Sequence, residues 1–127
     1  IAWYFGGSVE LKVLNKFSDI TYLQDHEIDI VMDTSHLFMG KNYHGFDELE
    51  IVNKLKSQIK WFHISGASGI DGEGRGFSTL TQDESKLMGD ILKNDKIKII
   101  EVWQGHLDNY YGFQNAIEKL DQEFNNG

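Results

Sequence analysis

A chain of 127 residues is long enough to bury a core of its own, and 40% hydrophobic with 25% charged residues is a globular composition, far from the disordered regime. Twelve basic residues against twenty acidic ones leave a net charge of −8 with no Lys/Arg run, which argues against nucleic acid, because duplex binding needs a basic stripe to displace counterions. The absence of cysteine removes disulfides and thiolate metal sites and fits a cytoplasmic protein, and no signal-peptide core or apolar span of membrane length is present.

The chain opens on IAWYFGG, which reads as a segment entered mid-domain, so residues 1–127 are expected to be a single domain that is a C-terminal fragment. Between Ile1 and Asn15, Val9, Leu11 and Val13 alternate with Glu10 and Lys12 as in a strand, but Leu14 and Gly6-Gly7 break the pattern, and the segment is read as irregular. Phe17–Glu27 is predicted helical, with Ser18 as N-cap and Ile20 and Leu23 on one face. Ile28–Met32 is a short strand, followed by a loop from Asp33-Thr34-Ser35-His36 through Gly40 and Gly45.

Asp47 caps a second predicted helix, Glu48–Lys60, with Leu49, Val52, Leu55 and Ile59 at helical spacing. Trp61–Ile64 is the next strand, and a glycine-rich loop follows. Thr81 and Glu84 form a capping box that opens a third helix, its core face carrying Leu87, Met88, Ile91 and Leu92. Ile97–Trp103 is the third strand, ending in Gln104-Gly105-His106. A last helix, Tyr111–Phe124, places Phe113, Ile117, Leu120 and Phe124 on one side.

Strands alternating with helices of this length imply parallel strands joined by right-handed βα units. Three parallel strands make a thin sheet, since each needs cover on both faces. The pattern is therefore expected to be part of a larger α/β fold, completed by self-association or by a further segment.

Each strand carries an ionisable residue at or just past its C-terminal half: Asp33, His63 and Glu101. Period-two alternation puts Val31 with Asp33, Trp61 with His63, and Ile97 and Ile99 with Glu101. If these faces converge, the three residues meet at the C-terminal rim, where α/β active sites are built. The bland alternatives are a helix-cap aspartate, a satisfied strand histidine and, hardest to accept, a buried unpaired carboxylate costing several kcal/mol. Together the three make a divalent-metal set suited to Mn²⁺, Zn²⁺, Co²⁺ or Mg²⁺. Such an ion polarises a carbonyl while a carboxylate removes the neighbouring proton. His36, Gln104 and His106 fall at the same rim.

The segment Trp61–Gly76 invites a phosphate-cradle reading. It lacks the Lys-Ser/Thr of a P-loop and the strand–GxGxxG–helix spacing of a dinucleotide site. It is expected instead to be a flexible lid that brings Glu73 or Arg75 towards a substrate.

The stretches IDIVMDTSHLFMG, WFHISGASG and IIEVWQGH resemble, in order, the last three strand ends of the xylose isomerase-like TIM barrels, the sugar phosphate isomerase/epimerase superfamily. The resemblance runs from about Ile28 to Phe124 and implies strands six to eight, the second half of a (β/α)8 barrel, with the N-terminal half missing. It implies Asp33, His63 and Glu101 as metal ligands, Glu101 also as acid/base, and His36 beside the substrate. Arg75 could fill the place of the arginine that follows strand seven in those enzymes, at a different spacing. The family's strand-five glutamate has no clear match; Glu10 is the only early candidate, and its distance to Asp33 is short. The Asp-x-His pair of the DNA-repair members is also absent, the region here reading IDGEGRG.

The function implied is a metal-dependent isomerase or epimerase acting on a small sugar or sugar phosphate through an enediolate. The alternatives are an endonuclease-IV-like phosphodiesterase, against which the absent Asp-x-His and the net charge weigh, and a non-catalytic carbohydrate-binding barrel domain. The half-barrel reading also implies that the isolated chain is weak or inactive.

Overall fold

A computed structural model of the chain describes residues 17–70 and 72–125. In chain order the elements are α1 (Phe17–Asp25), β1 (Ile30–Asp33), α2 (Thr34–His44), α3 (Glu48–Lys54), β2 (Ile59–Ile64), β3 (Gly66–Ser68), β4 (Gly72–Arg75), a 3-10 turn (Phe77–Thr79), α4 (Gln82–Lys93), β5 (Ile97–Ile100) and α5 (Leu107–Asn125). The irregular reading of residues 1–15 and the placing of Glu10 lie outside the described residues.

The architecture is mixed α/β, with β1, β2 and β5 forming a parallel sheet in that spatial order and β3–β4 a separate antiparallel hairpin. Isoleucine and valine fill the parallel strands, as expected for strands wrapped by crossover helices. One sheet face, with Met32, Phe62 and Ile64, is buried with Ile20 and Leu23 of α1, Leu37 and Phe38 of α2, Ile51 of α3, and Leu87 and Ile91 of α4. The opposite face carries Val31, Trp61, Ile97 and Ile99, which remain 36%, 39%, 67% and 46% exposed. The alternation read from the sequence thus sorts both faces correctly, and the face shared with Asp33, His63 and Glu101 is the open one.

The pairing of β1 with β2 is interrupted by a one-residue shift: Ile30 pairs with Ile59, but Val31 pairs with Trp61, leaving Lys60 without an opposite number. Above it Asp33 lies directly opposite His63. Unbroken alternation from Ile59 would instead have set Asp33 against Phe62 on the open face and turned His63 into the core. The bulge therefore decides that His63 joins Asp33 on the open face.

Several boundaries differ from expectation. The first strand is Ile30–Asp33, two residues later at its start than the alternation suggested, and α1 begins at Phe17, so Ser18 lies inside its first turn rather than at its cap. The segment after Asp33 is a helix, not a loop. Asp33 caps α2 by accepting from the His36 amide, and Gly45, at φ 72°, closes it with its N–H on the Lys41 carbonyl. Thr34, Ser35, Leu37, Phe38, Met39 and Gly40 are all buried, so this helix is covered on several sides and has no amphipathic stripe to announce it.

The next helix stops at Lys54 rather than Lys60, and Ile59 and Lys60 already belong to β2. Ile51 and Leu55 point inward there, while Leu49 is 47% exposed. Thr81 and Glu84 form the expected capping box, and Leu87, Met88, Ile91 and Leu92 are all buried.

β5 ends at Ile100, not Trp103, although the Glu101 amide still donates to the Ile64 carbonyl at 3.0 Å. α5 starts earlier than expected, through a left-handed run at Asp108, Asn109 and Tyr110. Its inward side holds Ala116, with Phe113 and Leu120 half-buried, and Ile117 faces out. The side chain of Phe124 lies outside the description.

Candidate metal centre

Three adjacent parallel strands deliver one polar residue each to the same rim. Neighbouring strands lie about 4.8 Å apart. Asp33 and His63 are therefore side by side, while Ile99 occupies the matching place on β5. Glu101 stands two residues beyond Ile99, hence on the same face and one pleat higher. Its longer side chain reaches back so that Oε2 sits 2.6 Å from His63 Nδ1. Ligand-type atoms of Asp33, His63 and Glu101 all lie within 4.8 Å of one another.

One side chain ties the end of the first of these strands to the second with two hydrogen bonds. Thr34 is fully buried; its Oγ1 donates to the Ser65 carbonyl at 2.7 Å and accepts from the Ser65 amide at 3.0 Å. The residue after Asp33 is thereby locked to the second residue after His63. Asp33 itself divides its oxygens: Oδ1 accepts the His36 amide at 3.1 Å, while Oδ2 faces His36 Nδ1 at 4.0 Å. The helix-cap reading of Asp33 is thus true as far as it goes, and it leaves one carboxylate oxygen for a ligand.

The donor set suits a divalent ion: one imidazole nitrogen and two carboxylates, all reachable by solvent. Side-chain exposure is 17% for Asp33, 33% for His63 and 44% for Glu101. Glu101 is therefore not the buried carboxylate that the neighbouring Ile and Trp suggested. It projects from the open face, and part of its cost of burial never arises. A carboxylate only accepts, so the 2.6 Å bond requires a proton on His63 Nδ1. A bound cation would compete with that proton.

The glycine segment is not a free lid. Gly66–Ser68 pairs antiparallel with Gly72–Arg75, and the hairpin is tied down at both sides. Gly74 N–H donates to the buried Ser35 Oγ at 3.0 Å, and the Gly74 carbonyl accepts from Trp103 N–H at 2.8 Å. At the turn, Asn42 Nδ2 donates to the Gly69 carbonyl. Asp71 lies outside the described residues.

This anchoring places Glu73 against His36, with Oε1 2.7 Å from Nε2, so Glu73 meets a protein side chain where a substrate contact was expected. Arg75 and Gln104, together with Glu73 and Trp103, line a cleft of about 300 Å³ beside that pair. His106 is exposed and lies outside the cleft's lining. A larger cleft of about 460 Å³, between the α2–α3 corner and α4, contains none of the three converging residues. Its size does not make it the site, because the ligand-type atoms converge elsewhere.

The chain matches no protein-family model, no curated protein and no solved structure.

The chemistry of the rim therefore rests on its own geometry. Asp33, His36, His63, Glu73 and Glu101 come together; Arg75 and Gln104 flank them. Thr34, Ser35 and Trp103 were missed as supporting residues. The run Asp33-Thr34-Ser35 gave no signal for the first two, because their bonds reach Ser65 and Gly74, 31 and 39 residues away, and local hydroxyl-to-backbone bonding does not foretell such partners. Nothing in the sequence marks Trp103 as the partner of Gly74.

Proposed function

We propose that this chain carries part of the active site of a metal-dependent isomerase or epimerase of the xylose isomerase-like kind, acting on a small sugar or sugar phosphate. The observation that carries the reading is the convergence of Asp33, His63 and Glu101 from three adjacent parallel strands to within 4.8 Å. A divalent cation held by these residues supplies Lewis-acid polarisation of a carbonyl. Asp33 and His63 fix the position of that group through the sheet and the Thr34–Ser65 lock. Glu101 is half-exposed on the open side, and the oxygen not given to the cation takes a proton from the carbon beside the carbonyl. The cleft lined by Arg75, Gln104 and Trp103 receives the remainder of the sugar.

Calorimetric titration with Mn²⁺, Co²⁺, Zn²⁺ and Mg²⁺ tests the centre. One site per chain is expected, with Asp33→Asn, His63→Ala and Glu101→Gln each weakening binding by at least about tenfold, the lower range found even for residues that only support ligands. Binding indifferent to all three substitutions refutes the centre. The chemistry is read in D₂O by NMR: metal-dependent deuterium uptake at the carbon next to the carbonyl of a ketose, abolished by Glu101→Gln. Cleavage of an abasic-site duplex without such exchange would replace this reading by the phosphodiesterase one.

A further inference from the structure

His36 is gripped from two sides. Its Nε2 lies 2.7 Å from Glu73 Oε1, and its Nδ1 faces Asp33 Oδ2 at 4.0 Å, beyond hydrogen-bond range. Both His36 and Glu73 are about four-fifths buried, with side-chain exposure of 20% each. The backbone on either side of Glu73 is fixed independently of His36. Gly74 is bonded to Ser35 on one side and Trp103 on the other. Gly72 and Gly74 also admit no side chain: a Cβ would come within 2.5 Å of the Ser68 carbonyl oxygen at the former and 2.4 Å of the Trp103 indole at the latter, where φ is 65°. The carboxylate of Glu73 is thus delivered by a rigid hairpin.

We infer that Glu73 is a positioning residue that fixes His36 as its Nε2–H tautomer and so turns Nδ1 into a hydrogen-bond acceptor for a substrate hydroxyl. The inference deepens the proposed function and rests on it for the identity of the hydroxyl. The argument is one of donors and acceptors. An ionised carboxylate cannot donate, so the nitrogen it meets must carry the hydrogen. A neutral imidazole holds only one, so Nδ1 keeps its lone pair. Nδ1 is then an acceptor at the rim, 4.0 Å from the Asp33 Oδ2 that is left for the cation. A sugar hydroxyl is a donor it can accept from. Buried acceptors built for a hydroxyl discriminate strongly against the deoxy analogue, because they are left unpaired when it binds. Glu73 therefore acts through His36 on which sugar is accepted, and itself contacts no substrate.

Ring-nitrogen NMR of the metal-free, sugar-free protein at about pH 9, where an ordinary histidine is neutral, tests the inference. The wild type is expected to show His36 with a protonated Nε2 and an unprotonated Nδ1. Glu73→Ala should collapse this pattern towards the averaged signals of exchanging tautomers. Glu73→Gln has the same size and still offers an acceptor oxygen. It should keep the tautomer but move the Nε2 proton resonance upfield, since a neutral acceptor makes the weaker bond; this variant decides the matter if the alanine variant does not fold. A wild type with Nδ1 protonated, or signals unchanged in both variants, overturns the inference. Because neither metal nor sugar is present, failure of the isomerase reading leaves this result standing, and failure of this result leaves the metal titration standing.

Discussion

Replacing Thr34 by valine removes one hydroxyl and almost no volume, and the structure assigns that hydroxyl two bonds to the same residue. Thr34 Oγ1 donates to the Ser65 carbonyl at 2.7 Å and accepts from the Ser65 amide at 3.0 Å, with Thr34 0% and Ser65 1% exposed. Each bond is worth about 1 kcal/mol net, and a buried polar group left without a partner costs about 1–3 kcal/mol more. Part of that cost is relieved by local adjustment, so Thr34→Val should destabilise the fold by about 2–4 kcal/mol, a large share of the roughly 5–15 kcal/mol typical of a domain. With a urea m-value of about 2 kcal/mol/M the unfolding midpoint falls by about 1–2 M at unchanged slope. Thr34→Ser keeps the hydroxyl and loses one methyl, about 1 kcal/mol. Hydrogen exchange at the Ser65 amide should quicken in the valine variant alone. If Thr34→Val unfolds within about 0.5 kcal/mol of wild type, or Thr34→Ser falls as far as Thr34→Val, the lock between the ends of β1 and β2 is not what holds Asp33 beside His63.

Gly74→Ala should lose about 1–2 kcal/mol from the left-handed backbone alone, and more from the clash with Trp103; a chain whose urea midpoint and Trp103 fluorescence both stay at wild-type values contradicts the hairpin geometry. Burial disfavours the Lys41 ammonium, but the Glu48 carboxylate 2.5 Å away, helped by Glu84 and Asp83, outweighs it and holds the Lys41 pKa above the ordinary lysine value. Its contribution to stability is therefore complete below the unfolded lysine value of about 10.4 and is lost as pH rises through the raised folded value. Urea midpoints measured across that range should fall more steeply for wild type than for Lys41→Met, and parallel slopes would refute the assignment. The double variant Ile97→Lys, Ile99→Lys should lower the fluorescence of an apolar dye such as ANS, because it breaks up the exposed apolar face shared with Val31 and Trp61. Unchanged dye binding would mean that this face is not exposed in solution.

What the sequence revealed follows from where each residue's environment is one-sided. The face carrying Leu87, Met88, Ile91 and Leu92 was legible because α4 is packed on one side, and its start because Thr81 and Glu84 bond reciprocally within four residues. The three ligand-type residues were legible because period-two alternation sorts each strand without knowledge of its neighbours. α2 was illegible for the opposite reason: Leu37, Phe38 and Met39 are consecutive and all buried, so no period of 3.6 survives. The glycines after β2 suggest freedom, but whether they are free depends on Ser35 and Trp103, residues far away in the chain. Glu101 shows the limit of reading burial from composition, since isoleucine and tryptophan neighbours accompanied a carboxylate whose face is open. Asp33 shows that a structural and a functional role need not compete for one side chain.

The unpaired Lys60 acts on the strand as a change of parity. Below it, the odd-numbered Ile59 belongs to the core; above it, the even-numbered Phe62 and Ile64 do, and the odd-numbered Trp61 and His63 turn outward. The bulge thus absorbs one extra residue in the strand and keeps His63 on the working surface, where unbroken alternation through Lys60 would have turned it into the core. Deleting Lys60 would remove the bulge and leave a regular strand, with Ile59, Phe62 and Ile64 still facing the core and Trp61 and His63 still outward.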